Sequence, residues 1–137
     1  MPQDFPTCAG LLSSVETIAP QFVSIRRSIH AHPELAFEER QTSDLVASTL
    51  EGLGYRVHRG LGTTGVVGQL TKGTGSKTIG IRADMDALPI QERTGLDYAS
   101  TLPGKMHACG HDGHTAILLC AARQLAQSVD FNGTLNL

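Results

Sequence analysis

Nine residues, Met106-His107-Ala108-Cys109-Gly110-His111-Asp112-Gly113-His114, hold three imidazoles, a thiol and a carboxylate, with two glycines to bend the backbone. Soft and borderline donors at this density are what a transition-metal ion requires. In an extended loop alternate side chains point the same way, so the pattern predicts that His107, Cys109 and His111 converge on one ion. The following run, Ala116-Ile117-Leu118-Leu119-Cys120-Ala121-Ala122, is almost wholly apolar and reads as a buried helix. It should extend to about Gln127, with Leu118, Leu119, Ala122, Leu125 and Ala126 inside and Cys120 as a packed core thiol. Asp112 or Thr115 is expected to cap this helix. The donors would then sit at its N-terminal end, where free amides and the helix dipole favour a thiolate at Cys109. The plainer alternative is a capping loop that happens to be rich in histidine, but a Cys-Gly-His turn has no packing purpose that would explain it.

A chain of 137 residues fits one domain with a core of its own. At 18% charged residues and a net charge of −2, it offers no electrostatic case for nucleic acid or an anionic membrane as its partner. The three cysteines, Cys8, Cys109 and Cys120, form an odd, scattered set that fits a reducing compartment better than a disulfide framework. Residues 1–6 lack the basic start and apolar core of a signal peptide, and no run reaches membrane-spanning length. A soluble, cytoplasmic chain is expected.

Taken in order, residues 1 to about 10 read as a loose lead-in. Leu11, Leu12, Val15, Ile18 and Ala19 follow helical spacing, which Pro20 should interrupt. A second helical run places Phe22, Ile25 and Ile29 on one face, with Arg26 and Arg27 turned away, and Pro33 should end it. His32 and Glu34 then fall in a bend, open to a site role or to that of an exposed turn. A helix is predicted from Glu38 to Leu53, with Leu45, Val46, Leu50 and Leu53 buried and Gly54 as its left-handed stop. Strands follow at 55–58 and 66–70, and the polar turn 72–77 suggests a hairpin into a third strand, 78–82, read as central in its sheet. The turn carries neither a Gly-Lys-Ser/Thr triplet nor a helix behind it, so it is no phosphate loop. Asp84 and Asp86, at i and i+2 where the third strand ends, lie on one side at the edge where α/β proteins place their sites. They suit a metal, the orientation of a ligating histidine, or a turn cap. Residues 91–105 read as a polar excursion, and Thr134-Leu135-Asn136-Leu137 opens a last strand that looks cut off.

Three stretches carry a resemblance: Ile25-Arg26-Arg27-Ser28-Ile29-His30-Ala31-His32-Pro33-Glu34-Leu35, then Gly80-Ile81-Arg82-Ala83-Asp84-Met85-Asp86-Ala87-Leu88-Pro89, then Met106 to Ala116. With them the chain resembles the M20 metallopeptidases and amidohydrolases, in the branch of hippurate hydrolases, N-acyl-amino-acid amidohydrolases and auxin-conjugate hydrolases. The resemblance implies a three-layer αβα catalytic domain with a mixed, mostly parallel sheet, interrupted by a smaller lid or dimerisation domain. Residues 1–137 would be the N-terminal part of that catalytic domain, truncated before completion and without the lid. It also implies two divalent metal ions (zinc, manganese, cobalt or nickel), with Cys109 and His111 matching metal ligands and Asp86 an aspartate that orients one. Asp84 stands where other branches carry a ligating histidine. His107, which alternation alone nominates, and His114 are not assigned to the primary shell by the resemblance.

The function implied is metal-dependent hydrolysis of the amide bond of small N-acyl amino acids, hippurate-like substrates, by an intact protein that is a homo-oligomer. The general base, an adjacent glutamate pair in the family, and the remaining ligands have no position in this chain. The 137 residues alone are therefore expected to be inactive and to self-associate through an open sheet edge. Two other readings compete: a small structural or storage metal-binding module, and a thiol-redox protein built on Cys109, which lacks a resolving Cys-x-x-Cys partner.

Overall fold

Helix α1 (Cys8–Ala31) continues through Pro20, where an interruption was expected. Proline removes one backbone donor from the helix. On both sides of it, however, Ile18, Phe22, Ile25 and Ile29 form a single stripe that packs inward, and that burial holds the two halves together. The computed structural model describes residues 7–137, so most of the expected lead-in lies outside the described residues. Thr7 caps α1 by accepting the Gly10 N–H at 3.3 Å, and the helix ends ahead of Pro33 as its sequence requires.

The bend after α1 has a structural task. The Glu34 carboxylate is buried and accepts the Gln41 and Thr42 N–H groups at 3.0 and 2.9 Å, and the Thr42 hydroxyl at 2.9 Å. It thus caps helix α2 (Arg40–Gly52), whose own N-cap residue, Glu39, makes no side-chain cap. His32 stays exposed and bonds only the Ser28 carbonyl. Leu50 is buried, Leu45, Val46 and Leu53 are partly so, and Gly54 turns the chain with φ +87°.

Strands β1 (Arg56–Leu61) and β2 (Gly65–Lys72) pair as an antiparallel hairpin. Next come β3 (Thr78–Gly80), helix α3 (His111–Ser128) and β4 (Gly133–Asn136), and the sheet order is β1-β2-β4-β3. The expected hairpin across 72–77 does not form, because β4 inserts between β2 and β3. The Asn132 side chain draws the turn aside by accepting the Thr74 N–H at 2.8 Å and the Gly75 N–H at 2.5 Å. A β-carbon at Gly75 would lie 2.4 Å from the Asn132 carbonyl oxygen, so only glycine permits this approach. As a result β3 is an exposed edge strand among the described residues rather than a central one. The sheet is mixed, as expected. It is not mostly parallel over these residues: β4 runs antiparallel to β2 and parallel only to β3.

Phe22 of α1, Leu50 of α2, and Leu119 and Ala122 of α3 close with Tyr55, Leu135 and Leu137 into one core. The opposite side of β4 is polar, with Thr134 bonded to Thr71 and Asn136 to Gln69. Of the three layers anticipated, the described residues supply the sheet and the helical layer on one face. The Tyr55 hydroxyl donates to the Ala122 carbonyl at 2.9 Å, and burial pushes its pKa up to about 12. Among the described residues no helix is long and apolar enough to cross a membrane. Leu119, 3% exposed, joins α3 to this core, so Leu119→Ala should lower unfolding free energy in urea by about 2–5 kcal/mol.

Candidate metal centre

Beyond β3 the chain runs extended and is pinned at intervals. Ile81 N–H bonds the Asn136 carbonyl at 2.9 Å, and Ala87 N–H bonds the Glu34 carbonyl at 2.7 Å. Leu88 and Met106 then form an antiparallel bridge, which closes the 91–105 excursion and brings residues 107–110 beside the Asp84–Asp86 segment.

His111 is the first residue of α3. Its Nδ1 lies 2.9 Å from Asp86 Oδ1 and 3.0 Å from the Asp86 carbonyl oxygen. Both partners accept, so Nδ1 carries the proton and the Nε2 lone pair is left for an external electrophile. This carboxylate-imidazole pairing is the usual support of a metal-bound histidine. Cys109 is exposed and free. Between the two donors Gly110 takes the left-handed conformation, φ +79°, with open space around it.

That turn breaks the alternation read from the sequence. His107 does not converge with Cys109 and His111. It is 4% exposed, its ring lies 6.3 Å from that of His30, and neither ring nitrogen has a hydrogen-bond partner. Burial is the main cause that holds its pKa below the usual imidazole value. Among the described residues no three His, Cys, Asp or Glu side chains form a group that could hold a metal ion. Asp84 and Asp86 also differ. Asp84 Oδ1 is shielded from water without a hydrogen bond, although the Arg82 guanidinium lies 2.6 Å away in an ion pair. The Asp84 carbonyl accepts the Thr115 hydroxyl at 3.2 Å. His114 is exposed, its ring 5.7 Å from that of His111. Cys120 is half-buried against the core, and burial raises its pKa.

Neither Asp112 nor Thr115 caps α3. The N-cap is Gly110, which has no side chain to offer. Asp112 is instead fully buried, and its Oδ2 accepts Arg26 Nε and His30 Nδ1, each at 2.9 Å. The other face of His30 meets Glu92 Oε1 at 3.2 Å, and Glu92 also accepts the Ser100 N–H at 2.6 Å and the Thr94 hydroxyl. Arg26 and Arg27, expected to point away, both lie over the Tyr98 ring, at 5.7 and 4.8 Å. The excursion 91–105 has no regular structure and is largely exposed, but it is anchored to the interior through the buried Glu92. Periodicity could not find this network, since its members sit up to 86 positions apart.

A cleft of about 820 Å³, lined largely by apolar side chains such as Phe37, Leu61, Val66 and Met85, opens beside Asp86 and His111. The donor types available, one imidazole nitrogen held by a carboxylate and one exposed thiol, fit a zinc-like ion. They are two, fewer than the three protein ligands that a catalytic zinc normally takes.

Burial alone would raise both network carboxyls, but their hydrogen bonds and nearby charges outweigh it. The Thr94, Ser100 and His30 bonds hold Glu92 below its ordinary 4.5, and His30, the Gly113 N–H and Arg26 hold Asp112 below its ordinary 3.8. A depressed folded-state pKa contributes stability that is complete above the unfolded value and lost as pH falls through the folded one. Thermal melts should thus lose stability as pH drops below 4.5, and Asp112→Asn should flatten the part of that slope below 3.8.

Residues 80–137 match the model of Peptidase family M20/M25/M40, a stretch that includes Asp84, Asp86, Cys109 and His111. Over 128 residues the chain is 54% identical to the hippurate hydrolase of Campylobacter jejuni, covering 93% of this chain and 33% of that protein. It is 44% identical over 116 residues to the N-acyl-L-amino acid amidohydrolase of Geobacillus stearothermophilus, covering 85% and 31%. Among solved structures, the YXEP protein of Bacillus subtilis, described as a dinuclear metal binding peptidase from the M20 family, aligns with a TM-score of 0.82 at 38% identity. That alignment covers 88% of this chain and 35% of the other. The chain spans about a third of the length of the relatives it matches. Motifs, mixed fold and relatives agree: the chain belongs to the M20 peptidase family.

Proposed function

We propose that residues 1–137 form the N-terminal part of the catalytic domain of a metal-dependent amidohydrolase, one that cleaves the amide bond of hippurate-like N-acyl amino acids. The observation that carries this reading is the Asp86–His111 pair, a carboxylate that fixes an imidazole with its far nitrogen free. Cys109 and His111 are the ligands this chain supplies to a site of two divalent ions, and Asp86 is the group that orients His111. When bound, the ions supply Lewis-acid polarisation of the amide carbonyl and make a water nucleophilic at neutral pH. Asp86 keeps His111 in the tautomer that presents Nε2, and Gly110 lets the thiol before it and the imidazole after it diverge from a strand-like course.

The remaining ligands and the proton-transferring base belong to the length of the relatives that this chain does not span. The 137 residues alone are accordingly inactive on this reading, and the whole protein is a cytoplasmic homo-oligomer with a lid domain. A structural or storage metal site is less well supported, because such a site closes four ligands around the ion and the described residues do not gather three.

Hydrolysis of benzoylglycine by the full-length protein, loaded in turn with zinc, manganese, cobalt and nickel, tests the assignment. Cys109→Ala and His111→Ala should each abolish turnover, and Asp86→Asn should lower metal affinity or activity about 10–100-fold. Full activity in Cys109→Ala would overturn it.

A further inference from the structure

Helix α3 begins at the proposed ligand His111 without a side-chain cap, yet its first turn is held from two directions. On the sheet side His111 bonds Asp86 and Thr115 bonds the Asp84 carbonyl. On the other side the Asp112 carboxylate, with no exposed surface, is gripped by Arg26 and His30. His30 is in turn held by Glu92, itself fixed by the Ser100 amide. A fully buried carboxylate that bonds the C-terminal part of α1 leaves the backbone around it little freedom, and Asp112 is the immediate neighbour of His111.

We infer that Arg26, His30 and Glu92 are positioning residues for the metal ligands. Through Asp112 they fix the first turn of α3, and with it the direction of the His111 imidazole and the exit of the Gly110 turn that carries Cys109. The inference rests on the assignment of Cys109 and His111 as ligands. None of the three residues touches an ion or a substrate in this role. They act by setting where the donors stand before an ion arrives, so their removal should cost affinity and coordination geometry rather than substrate recognition.

The test is cobalt(II) titration of the full-length protein, read by calorimetry and by the sulfur-to-cobalt charge-transfer band that Cys109 would give. His30→Gln and Glu92→Gln should each weaken cobalt binding about tenfold or more and shift or diminish that band. With substrate, kcat should fall while KM stays within about twofold, as for loss of an interaction that acts on the reacting centre rather than on binding. Tyr55→Phe serves as the comparison. It removes a buried hydrogen bond to the middle of α3, so it should lower Tm and leave cobalt affinity and spectrum unchanged. Should His30→Gln fail to accumulate as folded protein, Glu92→Gln at the outer end of the network decides. Unchanged cobalt affinity and band in Glu92→Gln, with only Tm reduced, would overturn the inference and leave the ligand assignment standing. Absence of the sulfur band in the unsubstituted protein would overturn both.

Discussion

A carboxylate with no access to water, Asp112, is the constraint around which the described residues are arranged. An ionised group in that position is tolerated only if it is paired, and the cost of leaving it unpaired is about 3–5 kcal/mol. Arg26 and His30 meet it from α1, one turn apart on the face that also buries Phe22 and Ile29. The same helix face thus carries apolar packing and the ionic anchor. This ties the angle between α1 and α3 to two kinds of force at once. Glu92 extends the anchor into a segment without regular structure, which explains why residues 91–105 stay in place although no strand or helix holds them.

The site stands on the opposite flank of the same helical turn. Asp86 approaches from the sheet and Asp112 leads toward α1, so the first residues of α3 form a bridge between the two layers. Rigid support on both sides is what the proposed ion-binding pair would require, because ligands that must be ordered during binding lose affinity to that ordering. The exposed thiol and the free imidazole nitrogen then face outward from a base that is fixed.

Much of this was legible in the residues alone, and the exceptions have physical causes. The apolar period of 116–126 and the Asn132-Gly133 turn located α3 and β4 because local pattern and burial agree there. The Asp86–His111 pairing could be anticipated from strand alternation and from the resemblance. Convergence of His107 presupposed an extended loop, whereas the chain turns at 108–110 and leaves His107 buried while Cys109 is exposed. Pro20 misled because its local cost is overridden by one continuous buried stripe. The place of β3 was hidden for a different reason: it depends on a clasp between Asn132 and the 72–77 turn, and nothing near residue 78 encodes that clasp. The Arg26–His30–Glu92–Asp112 network joins three separate segments, so no window of sequence contains its signature.

The strand order β1-β2-β4-β3 has a further consequence. Its inner member β4 emerges from the ribosome after both of the strands it joins, with α3 synthesised in between. Until Asn136 is available, β2 has one free side and β3 has no partner in the sheet, and the pairing Gln69 with Asn136 closes a long loop. Folding of this region therefore waits on late, non-local zippering, the slow class of event. Nascent chains paused short of that point would present bare strands to one another, a natural target for chaperones that shield unpaired β-structure.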